Sequence, residues 1–333
     1  MGSTSASGTA VSVRGLQKRY GSFTAVDDVS FDIAHGETFA LLGPNGAGKS
    51  TTVEILEGYR DRTGGEVSVL GTDPQHGKLP WKARLGIVLQ QSGESANLSV
   101  REQIKHFAGL YPNPRDVDEV IAAVGLDEKA GARIRSLSGG QRRRVDVALG
   151  IVGNPELLFL DEPTTGFDPE ARRQFWVLIR SLAQSGTTIL LTTHYLDEAA
   201  QLSDRAAVIV GGRLVDIGPV GALGPAEARV PIVRWRDGDR THEERTENPG
   251  LLVSRLIAER GGSTEPDGLE IVRPSLEDIY LDLVAAAERP DPQGTDPQGT
   301  IPQGTAPHDA APQGAAPQSP TAEATTPEGS AAG

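Results

Sequence analysis

The eight residues Gly43-Pro44-Asn45-Gly46-Ala47-Gly48-Lys49-Ser50 fill every fixed position of the pattern G-x-x-x-x-G-K-[ST]. They follow a short apolar run, 38–42, and a helical stretch begins at Lys49. A strand, a glycine-rich turn and a helix in this order let backbone N–H groups and a helix N-terminus surround a phosphate. The stretch therefore predicts a phosphate-binding loop in an α/β sheet.

The side chains of this loop suit a nucleoside triphosphate with its magnesium ion. Its glycines let the backbone approach the β- and γ-phosphates, and Lys49 adds a positive charge. Ser50, or Thr51 beside it, would place a hydroxyl on Mg²⁺ or on a phosphate oxygen. The residues predicted to bind the nucleotide here are Gly43, Pro44, Asn45, Gly46, Ala47, Gly48, Lys49, Ser50 and Thr51.

Two further motifs lie downstream of the loop. The apolar run 157–160 ends in Asp161-Glu162-Pro163, a strand that closes in a carboxylate, and Asp161 would hold Mg²⁺ directly or through water. Before it stands Leu137-Ser138-Gly139-Gly140-Gln141, where a hydroxyl, backbone N–H groups and a predicted helix N-terminus suit an anion. A phosphate loop alone would indicate only nucleotide binding, and these motifs narrow the function.

Together the three motifs resemble those of the ATP-binding cassette (ABC) ATPases. The sequence LSGGQ, residues 137–141, occurs almost exclusively in that superfamily. The resemblance covers residues from about 11 to about 223. It implies a P-loop NTPase fold, in which a RecA-like parallel sheet carries an antiparallel β subdomain and a helical subdomain. It also implies ATP as the ligand and ATP hydrolysis as the activity.

The resemblance gives roles to single residues. Glu162 would polarise the attacking water, as a general base or as an electrostatic orienter. Gln90 resembles the glutamine that reaches Mg²⁺ and the lytic water, although Gln91 would fit if the register slipped by one. His194 resembles the switch histidine that contacts the γ-phosphate. The predicted catalytic residues are Glu162, His194 and Gln90, and the predicted metal ligands are Ser50, Gln90 and Asp161.

Tyr20 precedes the first glycine turn, where the family has an aromatic residue that stacks on adenine. Stacking supplies affinity with little selectivity. A tyrosine that simply fills the core is the alternative interpretation.

The signature residues imply a second copy of the chain. In the family, the helical lobe that carries them projects away from its own phosphate loop. Ser138, Gly139, Gly140 and Gln141 would therefore bind the ATP of a partner, in a head-to-tail dimer with two composite sites. The segment 165–169 resembles the D-loop, and its Asp168 would cross the interface, while Phe167 replaces the more usual leucine.

Hydrophobic patterns predict the elements around these motifs. Strands are expected at 11–13, 29–33, 38–42, 85–89, 157–160, 188–191 and 206–210. Helices are expected from 49 onwards and at 100–110, 116–124, 140–152, 170–183 and 196–202. A mostly parallel sheet should have helices on both faces, and the helical subdomain, about 91–153, should form a separate lobe.

Composition suggests four parts along the chain. Residues 1–9 are predicted to be disordered, and 10–224 form the ATPase domain. A small α+β accessory domain, 225–288, should contain strands at 230–235 and 269–272 and helices at 251–259 and 276–287. The Pro/Gln/Gly repeats of 289–333 have no apolar face that could offset the entropy of ordering, so they predict a disordered tail.

Bulk properties exclude several function classes. The formal charge of −13 argues against nucleic-acid binding, which needs a basic surface, and the absence of cysteine excludes disulfides and cysteine metal sites. The first ten residues lack the pattern of a signal peptide, and no apolar run approaches the roughly 20 residues of a membrane span. If the ATPase drives transport, another chain must form the pore, and this chain should lie on the cytoplasmic face of the membrane.

The single cassette and the segment Pro274-Ser275-Leu276-Glu277-Asp278 resemble ATP-binding subunits of the ABC-2 type, in particular drug-resistance exporters related to daunorubicin efflux ATPases. The resemblance implies efflux of a drug, antibiotic or lipid-like molecule through an integral membrane permease of the ABC-2 type. Two alternatives stay open: the ATPase of an importer, and a soluble ABC ATPase that acts on ribosomes or DNA.

Overall fold

The computed structural model describes residues 8–88, 97–262 and 264–289, and all of them belong to one compact unit. The strands are β1 Thr9–Tyr20, β2 Phe23–Ala34, β3 Thr38–Leu42, β4 Gly64–Val69, β5 Leu85–Val88, β6 Leu157–Asp161, β7 Thr188–Thr192, β8 Arg205–Val210, β9 Arg213–Pro219, β10 Ile232–Asp237, β11 Arg240–Arg245 and β12 Asp267–Val272. The helices are α1 Lys49–Leu56, α2 Leu79–Lys82, α3 Val100–Ala108, α4 Val117–Ala123, α5 Gly139–Val152, α6 Pro169–Gln184, α7 Leu196–Leu202, α8 Pro249–Glu259 and α9 Leu276–Glu288.

The central sheet has six strands in the order β5-β6-β7-β3-β8-β9, and only β9 runs antiparallel to its neighbour. Parallel strands align their carboxyl ends at one edge. The phosphate loop after β3 therefore lies at the same edge as the ends of β6 and β7, which is where α/β sheets bind ligands.

Both faces of this sheet are buried. Along β3, Ala40 and Leu42 belong to one apolar cluster while Phe39 and Leu41 belong to the other, as the two-residue period of a strand requires. Helices cover the first face. The second face meets α1 together with the antiparallel sheet β2-β1-β4. The predicted helices on both faces and the predicted antiparallel β subdomain are both present, and α1 shares the second face with that sheet.

The helices α3, α4 and α5 form the predicted helical region. Their buried residues, such as Ile104 and Ile121, lie in the same cluster as Val88 and Leu158 of the central sheet. The expected separate lobe thus shares its core with the sheet. Residues 89–96, which contain both Gln90 and Gln91, lie outside the described residues.

The accessory region differs from the prediction in two ways. Its sheet has the order β11-β10-β12, and the additional strand β11 is exposed along its whole length. Leu252 and Leu256 of α8 pack against Val233 of β10. Helix α9 instead packs against α7, β8 and β9, and its Tyr280 and Leu283 contact the ATPase core. The last helix of the predicted 225–288 domain therefore anchors that region to the cassette.

The ends of the chain also differ from, or escape, the predictions. Strand β1 begins at Thr9, which pairs with Ala34, and Gly8 accepts from the N–H of His35, so the predicted disordered segment 1–9 extends two residues too far. Residues 1–7 and, apart from Arg289, the predicted tail 289–333 lie outside the described residues. Among the described residues, no helix has the length and apolar character needed to cross a membrane.

Candidate active site

The phosphate loop leaves no room for side chains at two of its glycines. A Cβ atom on Gly43 would lie 2.1 Å from the carbonyl oxygen of Ile209, and one on Gly48 would lie 2.4 Å from that of Ala25. Both glycines have positive φ angles, 152° and 102°, and Gly48 is the N-cap of α1. These residues therefore permit a close backbone turn at the start of a helix, which is the shape that cradles phosphate.

Lys49 lies buried in the first turn of α1, and its Nζ donates to the carbonyl oxygens of Gly43 (2.7 Å) and Pro44 (3.0 Å). The ammonium group thus lies across its own loop. Burial lowers the pKa of Lys49, while the negative charges of Glu162 and Asp161 oppose that change. The lysine is therefore held by the loop and faced by two carboxylates, a position in which an incoming phosphate would replace weak carbonyl partners with a charged one.

The carboxyl ends of β6 and β7 bring the predicted acidic residues together. The parallel register places Asp161 opposite Thr192, whose hydroxyl donates to an Asp161 carboxylate oxygen. The next residue, Glu162, has φ of 43°, and its N–H donates to the carbonyl oxygen of Thr192 at 3.1 Å. This left-handed conformation is costly for a residue with a side chain, so the site holds local strain of about 1–2 kcal/mol.

His194 lies beside Glu162. Its Nδ1 is 3.3 Å from Glu162 Oε1, and the hydroxyl of Thr165 donates to Glu162 Oε2, also at 3.3 Å. The Glu162 carboxylate is thus oriented from two sides, by an imidazole and by a hydroxyl. This is the arrangement that a water-activating carboxylate needs, since both of its oxygens are fixed before substrate arrives.

These groups surround one open cleft with a volume of about 700 Å³. It is lined by Tyr20, Phe23, Ala25, Asn45, Gly46, Gly48, Lys49, Ser50, Thr51, Asp161, Glu162 and His194. Ten of these residues are predicted site residues, and Phe23 and Ala25 are the other two. Tyr20 is 41% exposed, with the Lys18 ammonium 5.0 Å from its ring centre, so it does not fill the core as the alternative interpretation required.

The signature and D-loop residues do not line this cleft. Ser138 caps α5 by accepting from the N–H of Gln141 (3.2 Å), and the Gln141 side chain accepts from the N–H of Ser138 (3.1 Å). Asp168 caps α6 by accepting from the N–H of Ala171 at 2.8 Å. A Cβ on Gly139 or Gly140 would meet nothing within 4 Å. The structure thus presents two capped helix N-termini outside the cleft that holds Lys49.

The sequence analysis missed three residues at or near this site. Thr192 could have been found from the parallel register, which aligns it with Asp161. Arg143 and Glu57 are charged residues whose burial, 7% and 8% exposed, no local pattern indicates. Gln90 lies outside the described residues, so its place relative to the cleft stays a prediction.

Glu57, the C-cap of α1, predicts a pH dependence of stability. Burial, together with the negative charges of Asp161 and Glu54, raises the pKa of Glu57 to about 8. The unfolded chain releases this proton near its ordinary pKa of 4.5, whereas the folded chain retains it, so unfolding is favoured as the pH rises from 4.5 to about 8. At about 1.4 kcal/mol per unit of pKa difference, the free energy of unfolding should fall by a few kcal/mol over this pH range.

We therefore expect Glu57→Gln to be more stable than the wild type at pH 8 and equally stable or weaker at pH 4.5. Urea unfolding at both pH values measures the difference, and Glu128→Gln, at an exposed position whose charge does not act on Glu57, is the control. Identical pH dependence in the wild type and Glu57→Gln would contradict the assignment.

Comparison with known proteins agrees with this site. The family model described as ABC transporter matches residues 26–165. The Nod factor export ATP-binding protein I of Rhizobium johnstonii is 40% identical over 301 residues, which cover 84% of this chain and 96% of that protein. The daunorubicin/doxorubicin resistance ATP-binding protein DrrA of Streptomyces peucetius is 40% identical over 265 residues, 78% of this chain and 79% of that protein.

Solved structures show the same fold. An ATP-binding subunit of an ABC transporter superposes with a TM-score of 0.61 at 21% identity, over 83% of this chain and 99% of that one. A dimeric bacterial ABC transporter cassette gives a TM-score of 0.56 at 22% identity, over 63% of this chain and 98% of that one. The predicted fold class and family are confirmed, and the chain belongs to the ATP-hydrolysing, ATP-binding subunits of the ABC transporter family.

Proposed function

We propose that this chain is the ATPase of an exporter, acting on a separate membrane permease of the ABC-2 type and moving a drug, antibiotic or lipid-like molecule. The observation that carries the proposal is the extent of the likeness to export ATPases. A match over 84% of the chain is too long for the cassette alone and must include the accessory region that α9 anchors. The likeness to export ATPases therefore extends beyond the ATPase domain into the accessory region.

In this proposal the cleft binds ATP through groups of known position. The turn from Gly43 to Gly48 surrounds the phosphates, and Lys49 leaves its own loop carbonyls for the β- and γ-phosphate oxygens. Tyr20, exposed at the cleft, stacks on the adenine. When ATP binds, the buried ammonium group of Lys49 thus exchanges two carbonyl partners for anionic phosphate oxygens. Hydrogen bonds between charged groups are the stronger ones.

The cleft also suits Mg²⁺. Ser50 and Asp161 line it together and offer a hydroxyl and a carboxylate, the oxygen ligands that Mg²⁺ takes beside phosphates and water. When bound, the ion would neutralise charge that develops on the phosphates. Thr192 donates to Asp161 and so fixes the orientation of that carboxylate, and Gln90 would complete the set of ligands.

Glu162 and His194 would act on the water that attacks the γ-phosphate. The Glu162 carboxylate accepts the water's proton or orients it, and His194 contacts the γ-phosphate from the other side of that carboxylate. Thr165, the first residue of the D-loop, donates to Glu162. A movement of the D-loop would therefore reach the water-activating group directly.

The remaining ligands come from a second copy. Ser138, Gly139, Gly140 and Gln141 present a helix N-terminus outside the chain's own cleft, and Asp168 presents another. A head-to-tail dimer would place the first of these on the partner's triphosphate. Closure on ATP and opening after hydrolysis would then drive the permease from the cytoplasmic face of the membrane.

The proposal is tested by isolating the tagged full chain from native membranes with mild detergent and identifying what accompanies it. A permease with six membrane spans that accompanies the chain in stoichiometric amount supports an ABC-2 assembly. The Lys49→Ala variant should retain this permease as well as the wild type does. Loss of resistance to an exported compound in cells that carry only Lys49→Ala supports export. Association with an importer permease that requires a solute-binding protein, or with ribosomes, would overturn the proposal.

A further inference from the structure

Arg143 is a buried arginine on the signature helix α5, and its guanidinium reaches the end of strand β6. Nε donates to the carbonyl oxygen of Pro163 at 3.1 Å, and one terminal nitrogen donates to that of Asp161 at 2.9 Å. The same nitrogen lies 3.5 Å from the carbonyl oxygen of Glu162. One side chain thus contacts three successive carbonyl groups, which include Glu162 and both of its neighbours.

These contacts act on the backbone conformation that aims Glu162. Its φ of 43° is unfavourable for a residue with a side chain and persists only where the surroundings hold it. The N–H of Glu162 donates to the carbonyl oxygen of Thr192 at 3.1 Å, and the carbonyl oxygen of Glu162 accepts from Arg143. The strained turn is therefore fixed at both ends by residues that do not themselves line the cleft.

We propose that Arg143 is a positioning residue for ATP hydrolysis. It lies on α5, the helix that Ser138 caps, and holds the carbonyls of Asp161, Glu162 and Pro163. These contacts fix the orientation of the Glu162 carboxylate. The inference rests on the proposed roles of Glu162 and of the second copy. In the head-to-tail dimer, Ser138 serves the partner's ATP while Glu162 serves the chain's own. Arg143 therefore links the two composite sites within one chain, because a shift of α5 moves the Glu162 turn.

A salt bridge of ordinary surface type would not have this consequence. Arg143 lies 3.9 Å from Asp146 on its own helix, whereas its hydrogen bonds to Pro163 and Asp161 at the strand end are shorter, at 3.1 and 2.9 Å. Guanidinium geometry allows several carbonyls to be held at once, which a single ammonium cannot do. Lysine at this position should therefore restore the charge and only part of the positioning.

The test measures ATP hydrolysis and nucleotide affinity of the full chain for Arg143→Met, Arg143→Lys and the control Arg144→Met. Arg144 is the next residue of α5, and its side chain donates to Val124 and Gln174 instead of the strand end. We expect Arg143→Met to lower kcat by about 30- to 100-fold, with the Kd of fluorescent ATP changed by less than about threefold, as loss of a group aligned only for the reaction predicts. The kcat of Arg143→Lys should lie between those of Arg143→Met and the wild type, and the kcat of Arg144→Met should equal that of the wild type.

A second measurement separates positioning from general structural damage. In single-turnover experiments on a Glu162→Gln background, adding Arg143→Met should lower the rate of ATP hydrolysis by less than about threefold. The reason is that the carboxylate that Arg143 positions is already absent. Equal losses in both backgrounds, or an unchanged kcat in a folded Arg143→Met, would overturn the proposal. If Glu162→Gln alone left hydrolysis intact, the proposed function would fail instead, so the two failures are distinguishable. Arg143→Lys decides the matter if the methionine variant does not fold.

Discussion

Glu162→Gln is expected to reduce steady-state ATP hydrolysis by at least about 100-fold while ATP affinity stays within a few-fold of the wild type. The amide has nearly the shape of the carboxylate, so the contacts with His194 and Thr165 keep a partner, but it can no longer accept a proton. The loop and Lys49, which bind the phosphates, are unchanged. Binding and chemistry should therefore separate in this variant.

The same substitution should stabilise a closed dimer in the presence of ATP, because the contacts that the γ-phosphate makes to both copies persist. Size-exclusion chromatography with light scattering measures this shift, and phosphate release measures turnover. Glu170→Gln is the matched control, since Glu170 is exposed in the first turn of α6 and bonds only to Gln174 and Arg173 among the contacts that the structure gives it. Undiminished turnover in Glu162→Gln would remove this residue from the mechanism.

The phosphate loop and the parallel strands were predictable because each depends on local sequence. The pattern 43–50 requires particular glycines, and an apolar run such as 188–191 can be stable only as a buried strand or helix. Parallel strands align their carboxyl ends, and this brings Asp161 and Lys49 to one edge of the sheet. Local chemistry and one topological rule thus suffice for the centre of the site.

What the sequence did not show depends on contacts distant along the chain. Strand β11 is polar throughout and pairs with β10 without burying a face, so alternation gives no signal. The docking of α9 on the ATPase core requires the position of α7, which no local pattern contains. The positive φ of Glu162 arises from the contacts of Thr192 and Arg143, 30 residues downstream and 19 upstream, respectively. Motifs thus name the residues that we predict to react, but they do not indicate the residues that orient them.

The sharpest prediction from the proposed shared active site concerns a mixture of two variants, each of which is inactive alone. Lys49→Ala should abolish ATP binding in the cleft of its own chain, and Ser138→Arg should block the triphosphate that the partner holds. In either homodimer both centres carry the defect. We therefore expect each variant alone to show less than about 1% of wild-type hydrolysis, in line with losses for residues that contact transferring phosphates.

A mixed dimer regains one intact centre, formed by Lys49 of the Ser138→Arg chain and Ser138 of the Lys49→Ala chain. Since half of randomly paired dimers are mixed and each has one intact centre of two, an equal mixture should reach at most about a quarter of wild-type activity. The value falls below that if the two centres must act together. A mixture of Lys49→Ala with the double variant Lys49→Ala/Ser138→Arg is the control, because no pairing of these chains has an intact loop.

Loss of the helix cap must be separated from loss of the ligand. Ser138→Arg removes the oxygen that accepts from the N–H of Gln141, which costs about 1 kcal/mol of helix stability. Ser138→Asp retains a capping oxygen but opposes the triphosphate with a negative charge, so it should be as inactive alone and as well rescued in the mixture. Hydrolysis by an isolated monomer that is independent of concentration would show that each chain completes its own site, and no rescue of either Ser138 variant by Lys49→Ala would contradict a dimer in which one shared centre can act alone.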